Sequence, residues 1–195
     1  MTKELSVTIS SINVNSMNVS TLGSRNAKTY LKVEGVTGKK ADVIFMCDIR
    51  AKDKGQELSK LFGLTRNGCY KLYLNSSKES RGVGIAIKRN ISQEIIGIRR
   101  DENENFILLD IKLRGERMTL GSIYGPNGNE PEFYLRLKRV LGELGNKFII
   151  GGDFNTVLCQ ERGIENVDKI GGGRLPNQQN ARVINDWVKE GDIVE

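Results

Sequence analysis

The chain has 195 residues, 38% hydrophobic and 28% charged, which excludes a disordered polymer and suffices for one domain with a substantial core. Thirty lysines and arginines against 24 aspartates and glutamates give a net charge of +6, favouring a polyanionic partner such as nucleic acid through phosphate neutralisation. The absence of histidine excludes a His-based triad and most zinc sites within these residues, and no apolar run approaches the roughly 18 residues of a membrane helix.

Cys47, Cys69 and Cys159 are odd in number and lack C-x-x-C spacing, so they read as reduced, mostly buried thiols of an intracellular protein. The short, alternating N-terminal apolar segment is not a signal peptide.

In chain order, residues 5–13 alternate Leu5, Val7 and Ile9 with polar neighbours, predicting a strand with one buried face that runs out at Asn13. Residues 25–37 suit a helix. The continuous apolar run 41–47 predicts a strand buried on both faces, with Asp48 directly behind it and Arg50 two residues on. A short helix is expected over 53–62. Strands follow over 69–74, 82–87, 91–98, 105–113 and 118–124, with a polar loop carrying Lys78 and Arg81 and a tight turn at 114–116. Hairpin spacing throughout this stretch predicts a meander of antiparallel strands.

Pro131 opens a helix with Phe133, Leu137, Val140, Leu141 and Leu144 on one face, closed by Gly145. The next run, Phe148-Ile149-Ile150-Gly151-Gly152-Asp153-Phe154-Asn155, is a short buried strand that the two glycines end by a tight turn. On an extended backbone Asp153 and Asn155 project to the same side; the same two residue types also serve as ordinary turn residues. Beyond them, Gly171-Gly172-Gly173-Arg174 lacks the Lys-Ser/Thr of a P-loop and reads as a flexible loop. Residues 178–189 form a last helix with Ala181, Ile184, Trp187 and Val188 apolar, and 192–195 start another strand.

Strand ends thus deliver Asn13, Asp48, Tyr124 and the Asp153/Asn155 pair. If they meet at one rim of a two-sheet sandwich, two carboxylates and two amides suit a hard, oxygen-liganded cation. Such an ion polarises phosphoryl oxygens for in-line attack by water.

The ordered set INVN, an apolar strand ending in an acid, SRGVGIAI, YGPN and GGDFNT resembles the endonuclease/exonuclease/phosphatase family. Within it, the chain is most similar to the apurinic-type endonuclease domain of non-LTR (LINE-type) retrotransposon polyproteins, over essentially all of its length. That resemblance implies a DNase I-like α/β fold, a four-layer sandwich of two mainly antiparallel sheets flanked by helices, as one domain over 1–195. It also implies Mg2+ (or Mn2+)-dependent phosphodiester hydrolysis that nicks target DNA to prime reverse transcription. The implied partners are DNA and a reverse transcriptase domain on the same polyprotein, with no membrane. The implied location is nuclear or cytoplasmic, and nuclear at the time of action.

Position by position, the resemblance assigns Asn13 to the metal region and to catalysis, and puts Asp48 where the family carries its metal-binding glutamate. Tyr124 contacts the scissile phosphate, Asp153 orients or activates the water, and Asn155 binds phosphate or the transition state. Arg81 and Asn127 fall in matching motifs as substrate contacts. Two departures stand out. Asp48 is one methylene shorter than glutamate, and the family's last motif, Ser-Asp-His, has no counterpart up to Glu195. The expectation is therefore a C-terminally truncated domain, inactive in this form. The alternatives are a non-catalytic nucleic-acid-binding remnant, or a relative acting on abasic DNA or RNA.

Overall fold

The computed structural model describes residues 6–17, 24–51, 55–77, 80–156 and 178–190. In order they form β1 (Ile9–Asn13), α1 (Ser24–Thr37), β2 (Val43–Cys47), α2 (Gly55–Gly63), β3 (Tyr70–Asn75), β4 (Val83–Lys88), β5 (Gln93–Arg100) and β6 (Phe106–Leu113). They continue with β7 (Glu116–Tyr124), α3 (Pro131–Leu144), β8 (Phe148–Asp153) and α4 (Gln178–Lys189). The chain divides into two compact units: Met1–Tyr124 with Asn146–Asp153, and Gly125–Gly145 with Phe154–Glu195.

The larger unit holds both sheets, ordered β1-β2-β4-β3 and β5-β6-β7-β8. Strand β2 explains their packing, because all five of its residues are buried. Val43, Phe45 and Cys47 on one face join Ile85 and Ile87 of β4, Ile107, Leu109 and Ile111 of β6, and Leu120 of β7. Ile44 and Met46 on the other face join Val33 and Val36 of α1 and Leu58 and Phe62 of α2. Helices, first sheet and second sheet are thus three layers pinned by one strand. Each large apolar side chain so enclosed contributes about 1.5–3 kcal/mol. In the smaller unit α3 and α4 pack on each other. The N–H groups of Gln179 and Asn180 at the start of α4 donate to Asn129 Oδ1 at 3.1 and 3.3 Å, a cap supplied from 50 residues upstream.

Four strand pairs are antiparallel and two, β1 with β2 and β7 with β8, are parallel. The two sheets are therefore mainly antiparallel, but residues 69–124 are not one meander. β3 and β4 belong to the first sheet and β5, β6 and β7 to the second. Hairpin spacing looks alike whether a chain folds back on its own sheet or crosses to another.

Three other expectations need correction. Strand β1 is shorter than 5–13 and lacks a fully buried face, because it is an edge strand whose residues are exposed or half-buried. It is held at its start by Asp42, whose Oδ2 accepts from Thr8 N and Oγ1, both at 3.0 Å. Burial pushes the Asp42 carboxyl up, but the Thr8 hydrogen bonds and Lys88 outweigh it and leave the carboxyl below its usual range. Cys69 is exposed while Cys47 is buried; Cys159, the glycine-rich stretch 171–174 and residues 192–195 lie outside the described residues.

The third correction concerns Gly151 and Gly152, which sit inside β8 and do not end it. A Cβ on Gly151 would lie 2.5 Å from the Phe45 ring and 3.2 Å from Ser11, both in the opposite sheet. One on Gly152 would lie 2.0 Å from the Ile123 carbonyl oxygen, at φ +143°. The glycines are there for close approach, sheet to sheet and strand to strand.

Gly152→Ala should therefore cost about 3 kcal/mol or more, since backbone strain and overpacking each contribute about 1–3 kcal/mol. Gly35→Ala in α1, where nothing lies within 4 Å, should stabilise by about 0.5–1 kcal/mol. Urea unfolding of the two variants measures both, and equal midpoints would contradict the packing described.

Candidate active site

The parallel pairs bring the proposed residues together. In β1 and β2, Asn13 lies opposite Cys47, with Asp48 next in the chain. In β7 and β8, Tyr124 lies opposite Asp153. Between the sheets, Asn13 Nδ2 donates to Asp153 Oδ2 at 3.2 Å, so the ends of all four strands share one rim of the larger unit. Arg81 arrives from the start of β4, which runs antiparallel to β2 and begins where β2 ends. Its guanidinium lies 5.8 Å from the centre of the Tyr124 ring, and its Nη1 donates to Asn105 Oδ1 at 2.8 Å. Asn105 in turn accepts the Tyr124 N–H on its carbonyl at 2.7 Å.

Cys47 reports the charge at this rim. Burial pushes its thiol up to about 11, and the carboxylates of Asp153 and Asp48 add to the effect. Both acids therefore act on the same buried sulfur.

The backbone here is strained. Of nine non-glycine residues with positive φ among those described, five are Asn15, Ser16, Asp48, Arg50 and Arg81, just beyond these strand ends. Side-chain-bearing residues adopt that region at a cost of about 1–2 kcal/mol each, and such residues cluster at functional sites. The loops are fastened to one another by backbone bonds: Ser16 N–H to Asp48 O at 2.8 Å, Ile49 N–H to Gly82 O at 3.0 Å, and Arg50 N–H to Arg81 O at 2.7 Å.

Asp48 is 4% exposed, and both of its carboxylate oxygens accept from Arg50, from Nε at 2.7 Å and from Nη2 at 2.9 Å. That hydrogen-bonded carboxylate raises the Arg50 guanidinium above its usual range, and Tyr124 adds to the effect. The charge behind the apolar strand is thus neither a solvated edge nor an open ligand. Reading acids as candidate ligands passed over Arg50, although its position two residues beyond Asp48 was a usable signal.

Asn155 and Asn127 belong to the smaller unit. Strand β8 ends at Asp153, and Asn155 takes φ 49°. Asn155 Nδ2 donates to Gly125 O at 2.8 Å. The Tyr134 hydroxyl donates to Phe154 O, and a Cβ on Gly125 would lie 2.3 Å from that same oxygen. Within the smaller unit, Gly125 of YGPN and Phe154 and Asn155 of GDFN thus pack on each other through Tyr134, which the apolar spacing of α3 did not single out.

No group of three or more His, Cys, Asp or Glu side chains gathers among the described residues. A hard cation that keeps its waters and takes phosphate oxygens needs only one or two carboxylates. Asp153 beside Asn13 meets that requirement, whereas Asp48 meets it only when Arg50 releases it.

No protein-family model matches the chain. Its structure is similar to the endonuclease domain of TRAS1, a telomere-specific non-LTR retrotransposon, at TM-score 0.57 and 16% identity, over 95% of this chain and 72% of that one. It is similar to an AP endonuclease from Archaeoglobus fulgidus at TM-score 0.62 and 17% identity, over 95% and 71%. It is also similar to the 3′ phosphatase NExo from Neisseria at TM-score 0.52 and 18% identity, over 80% and 60%. The chain shares with these proteins the fold of a DNase I-like α/β sandwich. Among its described residues, no helix is long and apolar enough to cross a membrane.

Within this fold the Cys47 thiol stands as a probe of the rim. In a Cys159→Ser background at pH 8, a thiol reagent should modify Cys69 quickly and Cys47 only on unfolding. Because the Cys47 pKa is raised on folding, from 9.0 to about 11, its contribution to stability is complete below pH 9. That contribution is lost as pH rises towards 11. Denaturant midpoints of wild type and Cys47→Ala across that window check the sign, since only the wild type carries this component of the decline.

Proposed function

We propose that the chain is a metal-dependent phosphodiesterase domain that nicks duplex DNA, of the kind that opens target DNA for retrotransposon integration by target-primed reverse transcription. The observation that carries this reading is the Asn13–Asp153 hydrogen bond joining the ends of two sheets beside Tyr124. The likeness to the TRAS1 endonuclease domain and to an AP endonuclease supports it, as does the net charge of +6.

In this reading Asp153 takes a proton from the attacking water, and Asn13, donating to Asp153 Oδ2, fixes which carboxylate oxygen faces that water. The water oxygen bonds to phosphorus as the bond from phosphorus to the 3′ oxygen breaks. That oxygen leaves with a proton from solvent as a 3′-hydroxyl, and the phosphate remains on the 5′ side. Tyr124 donates its hydroxyl to a non-bridging phosphate oxygen, and Arg81, stacked on the Tyr124 ring, holds the phosphate charge. Asn155 and Asn127 are proposed as phosphate and DNA-backbone contacts. Asp48 and Asn13 would hold Mg2+ or Mn2+, which would supply polarisation of the phosphoryl oxygens and stabilisation of transition-state charge. The proposed partners are DNA and a reverse transcriptase domain of the same polyprotein, acting in the nucleus.

A second reading, a nucleic-acid binder that does not cut, is favoured by one observation: Asp48 is already neutralised by Arg50. Nicking of supercoiled plasmid in Mg2+ separates the two. These residues joined to a downstream Ser-Asp-His segment should nick. Asp153→Ala should lower the rate about 100-fold or more, the low end for loss of a proton-transfer group. The 195-residue protein alone should bind plasmid with a salt-dependent affinity and nick it little. An Asp153→Ala variant that nicks at the wild-type rate removes the catalytic assignment, and binding without nicking by every form establishes the second reading.

A further inference from the structure

The Asp48–Arg50 pair is built from two neighbours in a conformation that neither adopts readily. Both residues have positive φ, 59° and 53°, and the Ile49 between them is 1% exposed. The N–H groups of Ile49 and Arg50 are tied to Gly82 and Arg81. This fixed backbone presents a planar guanidinium edge-on to a carboxylate, the two-pronged geometry in which arginine exceeds lysine. The partners differ in access: the Asp48 side chain is 6% exposed and that of Arg50 is 41%. Side-chain rotation alone can therefore take the arginine away while the carboxylate stays at the rim. Leaving that carboxylate buried and unpaired is costly, so the arginine departs only when another cation arrives.

We propose that Arg50 is the resident cation of this rim: its guanidinium occupies Asp48 in the place of a divalent ion, and such an ion reaches Asp48 only by displacing it. The exchange deepens the metal-dependent reading above and rests on it for the class of ion. It adds a consequence for the substrate. The Arg50 N–H is tied to the carbonyl of Arg81, whose guanidinium lies over the Tyr124 ring, so the Arg50 backbone stays at this rim when its side chain leaves Asp48. Arrival of the ion then yields two changes at once, a metal on Asp48 and a second arginine, with Arg81, available to phosphate. Mg2+ gives up its waters reluctantly, whereas guanidinium is weakly hydrated, so the pair holds against low concentrations of the free ion.

The test is Mn2+ titration of the 195-residue protein by calorimetry without DNA. Arg50→Gln should bind Mn2+ about fivefold tighter than wild type or more, the low end of coupling between competing ligands. Arg50→Gln combined with Asp48→Asn should lose that gain. Equal or weaker binding by Arg50→Gln, a gain that survives loss of the Asp48 charge, or no measurable binding by any form would overturn the proposal. Should Arg50→Gln not fold, Arg50→Lys, which keeps the charge without the fork, should still bind tighter than wild type, and failure to do so overturns it equally. The readout involves no cleavage, so an inactive nuclease with intact Mn2+ exchange sinks the proposed function and leaves this inference standing.

Discussion

Asn13 and Asp153 stand 140 positions apart in the chain, and their side chains meet at 3.2 Å. That contact exists because each sheet ends in a parallel pair, β1 with β2 and β7 with β8. Parallel strands finish at the same end, so each pair sets two C-terminal residues side by side. In an all-antiparallel sandwich the same residues would alternate between opposite ends. The rim is thus a product of topology before it is one of side-chain chemistry.

Topology places the strand ends, and the glycines of β8 decide how close they come. Phe45 fills the space that a side chain at 151 would occupy, and Phe45 is also a member of the core between the sheets. Ser122, buried in β7, donates its hydroxyl to the carbonyl of Met46 in β2 at 2.8 Å. The hydrophobic core and the site are therefore one mechanical system: the packing that excludes water from Cys47 also sets the gap across which Asn13 reaches Asp153. Strained residues persist beyond the strand ends because ladder-like backbone bonds run on past β1, β2 and β4.

Much of this was legible in the sequence. The run 41–47 announced a strand buried on both sides because its residues from Val43 to Cys47 lack any polar position to face solvent, and the helix from Pro131 carried its own start and stop signals. Of the residues of the larger-unit rim, Asn13, Asp48, Tyr124 and Asp153 were named from their places at strand ends, and Arg81 only from the motif it shares with the resembled family. What was not legible shares one cause, a dependence on partners remote in the chain. Two glycines in a row signal a turn locally and close packing only when Phe45 and Ile123 are known to be there. Cys69 was read as buried from its residue type, but no apolar neighbours were brought over it.

The charges at the rim complete the picture. Asp48 and Arg50 cancel each other in a two-pronged pair, so the carboxylate on the closest branch of the chain to the core adds little net negative charge. Asp153 accepts from a neutral amide, which orients it without neutralising it. Arg81 donates to a neutral amide and lies over a neutral ring, so neither contact cancels its charge. Of these contacts only the Asp48–Arg50 pair joins opposite charges; the others are to a neutral amide or a neutral ring. The two that are paired can be separated by rotating one half-exposed side chain, and that is where the site keeps its capacity to change state.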